Sequence, residues 1–150
     1  MLQPNATLPK AGKDDVAAQR ALRHTALLDA AAQEFNARGV SGASLSRIAR
    51  ALGLTRAALY YYVKDREDLA VQCYRRTCDL MRDDLAAAHG GNGLEKILNF
   101  LRRTLDPLRT PPAVLSELDY LEGKKHAALA AAHAQNVNVL RAMIRAGIGD

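Results

Sequence analysis

A chain of 150 residues, 49% of them hydrophobic, can bury one sizeable core and a small second one, but falls short of two full-sized domains. Its net charge of +5 is uneven: residues 1–78 carry 12 Lys and Arg against 7 Asp and Glu, whereas 79–150 carry 9 of each. No apolar run approaches the roughly 18 residues that span a bilayer, and the N-terminus lacks the apolar core of a signal peptide, so no membrane role is expected and a reduced cytoplasm is the expected setting.

Residues 1–15 contain two prolines and a glycine without apolar periodicity, which predicts a flexible arm, taken as 1–19. A helix is expected from Val16 or Arg20 to Arg38, with Leu27, Leu28, Ala31 and Phe35 on its inner face and Gly39 as its stop. Ser44 is a good N-cap for a second helix, in which Leu45, Ile48, Ala49 and Leu52 make one buried stripe. Gly53 can take the positive φ that ends that helix, Leu54 can plug the corner, and Thr55 caps a third helix running through Tyr62.

Two short helices joined by a glycine turn are a helix-turn-helix signature. Ala58 and Leu59 face the preceding helix, which leaves Arg56, Ala57, Tyr60 and Tyr61 outward. That face suits DNA: a small residue admits close approach, an arginine can fork onto a guanine edge, and tyrosine hydroxyls reach phosphates. Tyr60, Tyr61 and Tyr62 point in different directions on a helix, so they cannot all be core aromatics. Between Asn36 and Lys64 stand five basic residues (Arg38, Arg47, Arg50, Arg56, Lys64) and no acid. A polyanion requires such a local field, and an ordinary solvated helix would mix its signs.

Asp65 reads as the next N-cap, with Glu67 and Asp68 at the positive end of the dipole. Apolar positions at Leu69, Cys73, Tyr74, Thr77, Leu80, Met81 and Leu85 carry the helix to about His89, a span of about 35 Å. Cys73 and Cys78 lie about 140° apart around that helix, so they cannot pair. Gly90, Gly91 and Gly93 end it. Leu94, Ile97, Leu98, Leu101, Leu105 and Leu108 mark a further amphipathic helix, stopped by Pro107 or shortly after, and Pro111 and Pro112 enforce a loop. A short helix at Val114 to Leu121 precedes a long one from Glu122 or Lys124 to Ala146, with Leu129, His133, Asn136, Leu140 and Met143 on one line. His133 and Asn136 face either a ligand cavity or a subunit interface, or form the polar edge of a packed stripe. No strand and no internal repeat is expected.

The run from Leu27 to Tyr74 resembles the DNA-binding head of the tetracycline-repressor (TetR) family of transcriptional regulators. The resemblance is carried by LLDAAAQEF, the Arg38-Gly39-Val40 break, the Ser44-led helix with Ile48-Ala49, the Gly53-Leu54-Thr55 turn, and LYYYVKDREDL. It implies an all-α fold: a three-helix head, residues 20–66, joined by a long helix to a helical ligand-binding and dimerisation region, residues 67–150. It also implies that Thr55, Arg56, Ala57, Tyr60 and Tyr61 contact bases or nearby phosphates, and that Ser44, Tyr62, Lys64 and Arg66 lie near the DNA backbone. One departure is Arg47, which stands where the family often has an acid, so the reciprocal capping box is missing; Arg47 is added to the expected phosphate contacts.

The function expected from the resemblance is ligand-responsive regulation of transcription, as a repressor released from double-stranded operator DNA by a small-molecule effector. The family builds its dimer mostly from two further helices, and Gly147-Ile148-Gly149-Asp150 reads as a turn leading into them, so the regulatory region is expected to be incomplete and a homodimer of this chain weak. A reading from another class is a helical adaptor whose helix-turn-helix grips a protein, which would call for an apolar or acidic outer face. Enzyme chemistry is not expected: there is no G-x-S-x-G elbow, phosphate loop, HExxH pair or pair of catalytic carboxylates. His24, His89, His126 and His133 have no metal spacing, so neither a metal nor another cofactor is expected.

Overall fold

The computed structural model describes residues 13–106 and 126–149, all of whose regular structure is helical. Within them six helices follow in order: α1 Lys13–Gly42, α2 Leu45–Ala51, α3 Arg56–Leu59, α4 Arg66–Ala86, α5 Gly93–Thr104 and α6 Ala127–Gly149. The expected helix at Val114 to Leu121 lies outside the described residues, as does the arm before Lys13.

Gly39 interrupts α1 with φ 68° and ψ 169°, a conformation nearly closed to side-chain-bearing residues, so the chain turns at the predicted stop and adds one more helical turn to Gly42. At its other end α1 starts at Lys13, three residues before the earliest predicted start, because Asp14 and Asp15 complement the positive end of the helix dipole. The flexible arm assigned to 1–19 is therefore corrected: residues 13–19 are helical.

One core ties the head together and reaches beyond it. Leu27, Leu28, Ala31, Ala32 and Phe35 of α1 meet Ile48 and Ala49 of α2, Leu59 of α3, and Leu69, Ala70, Cys73, Tyr74 and Cys78 of α4. Leu59 is fully buried, worth about 1.5–3 kcal/mol. A four-residue helix such as α3 does not persist alone, so this anchor and the Thr55 cap hold it in place. The same core takes in Leu129 of α6, with Ala132 packed against it.

Further boundaries differ from expectation. Helix α3 ends at Leu59, and Tyr60 to Tyr62 form a turn. Helix α4 stops at Ala86, and its C-cap Ala87 donates to Asp83 and Leu85 carbonyls. Helix α6 continues through Gly147, Ile148 and Gly149, where a turn was expected. A side chain on Gly93 would overlap the Gly147 backbone, and one on Gly147 would press on the Leu94 amide. Packing against the start of α5 thus holds the last turn of α6 helical, an influence that local propensity does not record.

Candidate nucleic-acid interface

Helices α3 and α4 are each fixed by their own cap. Gly53 has φ 65° and open space around its Cα, so the turn after α2 requires its freedom and not its small size. Thr55 Oγ1 then accepts the Ala58 N–H at 3.1 Å and starts α3. Asp65 Oδ1 accepts the Asp68 N–H at 2.8 Å, and Asp68 Oδ2 returns to the Lys64 N–H at 2.9 Å, a reciprocal cap that fixes the chain entering α4. At α5 the pattern repeats: Asn92 Oδ1 accepts from Glu95 N–H at 2.8 Å, and Glu95 Oε2 from Gly91 N–H at 2.6 Å.

These caps present one side of α3 to solvent. Thr55, Arg56 and Ala57 are exposed, Tyr60 is 44% exposed and Tyr61 84% exposed, while Leu59 is sealed in the core. Arg56 Nη2 donates to the Tyr60 hydroxyl at 3.2 Å, with the guanidinium over the tyrosine ring. Ser44, Arg56, Tyr60 and Arg66 also share an open cleft of about 410 Å³ with Ser46 and Asp65, so the structure brings these predicted residues together across α2, α3 and the start of α4.

Three predicted residues have other engagements. Tyr62 is half-buried, packs against the core, and accepts from Gln72 Nε2 at its carbonyl. The Arg66 guanidinium donates from Nη1 to the Ser41 carbonyl at 2.7 Å, which staples α4 to the end of α1. Arg47 is held by Glu34: Nε donates to Oε1 at 2.8 Å, Nη2 pairs with the same oxygen at 2.6 Å, and Nη2 also donates to the Gly42 carbonyl. The Arg47 hydrogen bond, more than the Ser44 amide or the Arg38 charge, holds the Glu34 carboxyl below its ordinary range.

Sequence reasoning missed Glu34, although a helix that lacks its own acid at the fourth position invites one from elsewhere. Lys64 and Arg50 are exposed, and among the described residues no partner engages either side chain.

The two residues suggested for a ligand lie on α6. Asn136 is buried, and its Nδ2 donates to the Cys78 carbonyl at 2.7 Å, so it pins α6 to α4. It borders a cleft of about 150 Å³ lined by Arg82, Leu85, Ala86, Gln135 and Val139. His133, half-buried on the same helix, does not line that cleft. Both cysteines are free thiols buried in α4. Among the described residues, no His, Cys, Asp and Glu cluster could hold a metal, and no helix is long and apolar enough to cross a membrane.

A three-helix head with capped α2 and α3, a positive-φ glycine between them and an outward basic and aromatic face is a helix-turn-helix arrangement. Residues 27–73 match the family model described as bacterial regulatory proteins, tetR family. It is 46% identical over 52 residues to the HTH-type transcriptional regulator AcrR of Shigella flexneri, covering 35% of this chain and 23% of that protein. It is 32% identical over 81 residues to the HTH-type transcriptional regulator BetI of Rhizobium meliloti (strain 1021), covering 54% and 37%. The matches thus span well under half the length of these relatives.

Among solved structures, AibR in complex with isovaleryl coenzyme A and operator DNA superposes with a TM-score of 0.66 at 25% identity, covering 81% of this chain and 69% of that one. The TetR-family regulator PfmR of Thermus thermophilus has the same fold, with a TM-score of 0.65 at 22% identity and coverage of 82% and 70%.

Proposed function

We propose that this protein is a transcriptional regulator, a repressor that reads double-stranded operator DNA through α3 and lets go when a small molecule binds the region beyond the head. The observation that carries the reading is the outer face of α3 and of the turn after it: Arg56 on the helix and Tyr60 and Tyr61 in the turn stand exposed, while Leu59 anchors the opposite side. A protein-binding adaptor would require an apolar or acidic face there. Arg56 forks onto a guanine edge, Thr55, Ala57, Tyr60 and Tyr61 touch bases or adjacent phosphates, and Ser44 and Lys64 meet the backbone. The relatives, both named as HTH-type transcriptional regulators, and the complex of AibR with a coenzyme A ester and operator DNA support this assignment.

The working unit is a homodimer in the cytoplasm, since two heads about 34 Å apart are needed to reach successive major grooves. Residues 20–66 form the reading head and 67–150 belong to the regulatory region. Selection from a randomised duplex pool tests the proposal. A recovered motif with two half-sites one helical turn apart is the expected result. Retention of all sequences alike, or of none, would sink it.

A further inference from the structure

Helix α2 has seven residues and needs its first turn secured, yet its own sequence supplies only half of a cap. Ser44 Oγ accepts the Arg47 N–H at a long 3.4 Å, and the fourth position, where the caps of α4 and α5 place Asp68 and Glu95, is occupied by Arg47. The missing carboxylate comes from α1. Glu34 Oε1 accepts the Ser44 N–H at 3.0 Å, the bond that a glutamate at position 47 would make in a box closed within α2.

The same carboxylate draws in charge from the DNA-facing side. Arg47 spends Nε and Nη2 on Glu34 and on the Gly42 carbonyl, and Arg38 Nε lies 3.6 Å from Glu34 Oε2. Glu34 is only 13% exposed at its side chain whereas Arg47 is 46% exposed, so the carboxylate is the fixed member and the arginine the one that could swing outward. Glu34 is also the last acid before the basic run that begins at Arg38.

We propose that Glu34 is a positioning residue for DNA binding, completing the cap of α2 from α1 while holding the Arg47 guanidinium away from the DNA backbone. The inference rests on the DNA-reading function proposed above. Each arginine that reaches a phosphate adds sequence-blind affinity and about 0.9 to the slope of log K against log salt. Glu34 therefore keeps α2 in register with α3 without adding that contact.

The test uses the full chain and a mixed-sequence duplex, titrated over a range of salt concentrations. Glu34→Gln keeps an oxygen for the Ser44 amide but releases Arg47, so its salt slope should steepen by about one unit, and Glu34→Gln combined with Arg47→Met should return to the wild-type slope. A merely structural role would leave the slope alone. An unchanged slope in Glu34→Gln, or a steeper one that persists without Arg47, overturns the proposal.

Thermal melting reads the cap independently of DNA. Glu34→Ala should lower the midpoint by several degrees in the wild type but much less beside Arg47→Glu, which closes the box within α2. Equal losses in both backgrounds overturn the capping role. A wild-type chain that binds no duplex would defeat the DNA-binding reading and the charge-holding role with it, while the melts would still decide the cap.

Discussion

The Arg56 guanidinium donates from Nη2 to the Tyr60 hydroxyl at 3.2 Å and lies 5.9 Å from the centre of the same ring. Residues i and i+4 share a helical face, so the pair stands together on the outward side of α3. An arginine already ordered against a ring loses less side-chain entropy when it forks onto a base. Arg56→Ala should weaken binding to the selected operator by about 1–3 kcal/mol and flatten preference at one base position. Tyr60→Phe, which keeps the ring and drops the hydroxyl, should cost less and leave the preferred base unchanged. Binding-site selection repeated on both variants checks this, and unaltered preference in Arg56→Ala would remove the recognition role from α3.

Lys64 precedes the Asp65 cap, with its backbone amide fixed by Asp68 and its side chain exposed. On the proposed reading, a flexible ammonium placed there meets phosphate and not base edges. Lys64→Ala should lower affinity for all duplexes alike and reduce the salt slope by about one unit. Loss confined to one sequence would instead place Lys64 in the groove.

Burial pushes the Cys73 thiol up to about 12 from an ordinary value of 9.0, with the Asp29 charge adding to the rise and Arg76 opposing it. An acid whose folded value is raised contributes stability that is intact below its unfolded value and lost as pH climbs towards the folded one. Stability measured by urea unfolding should therefore decline between about pH 9 and 12, and the decline should be shallower in Cys73→Ala. Cys78, also pushed up by burial, accounts for part of what remains. At neutral pH both thiols should resist alkylation until the chain unfolds; prompt labelling of the native protein would contradict the packing of α4 against α1 and α6.

What could be read from the sequence was local. Ser44, Thr55 and Asp65 cap the predicted helices, and Gly39 and Gly53 turn the chain where predicted, because a cap or a positive φ depends on a few neighbouring residues. The outward face of α3 was legible for the same reason: one buried Leu59 fixes which side is left. Glu34 was not, since its bond to Ser44 crosses ten residues and two helices. Nor was Asn136, which sequence places on a stripe but only the fold sets against the Cys78 carbonyl. The C-terminal end of α6 was misplaced because Gly147 favours a break locally, whereas Gly93 and Leu94 pack against it from a separate helix.

Helix α4 runs from the head into the region beyond it, and α6 makes a second connection. Leu129 of α6 is buried in the head's own core, Asn136 is bonded to α4, and His126, just before α6, lies 3.0 Å from Glu67 in the first turn of α4. A shift of α6 therefore acts on the head through packed side chains as well as along α4, which is the kind of bistable contact a ligand can bias. Leu129→Ala should cost about 2–5 kcal/mol, the range for a buried leucine truncated to a cavity. That loss should be felt in the head. The chain has no tryptophan, and four of its five tyrosines, Tyr60, Tyr61, Tyr62 and Tyr74, belong to the head and its α4 face, so tyrosine fluorescence follows the head while far-ultraviolet dichroism follows every helix. In urea the two signals should coincide for the wild type and shift together in Leu129→Ala. If the dichroism midpoint fell while the tyrosine midpoint stayed in place, α6 would be melting without the head, and transmission would run through α4 alone.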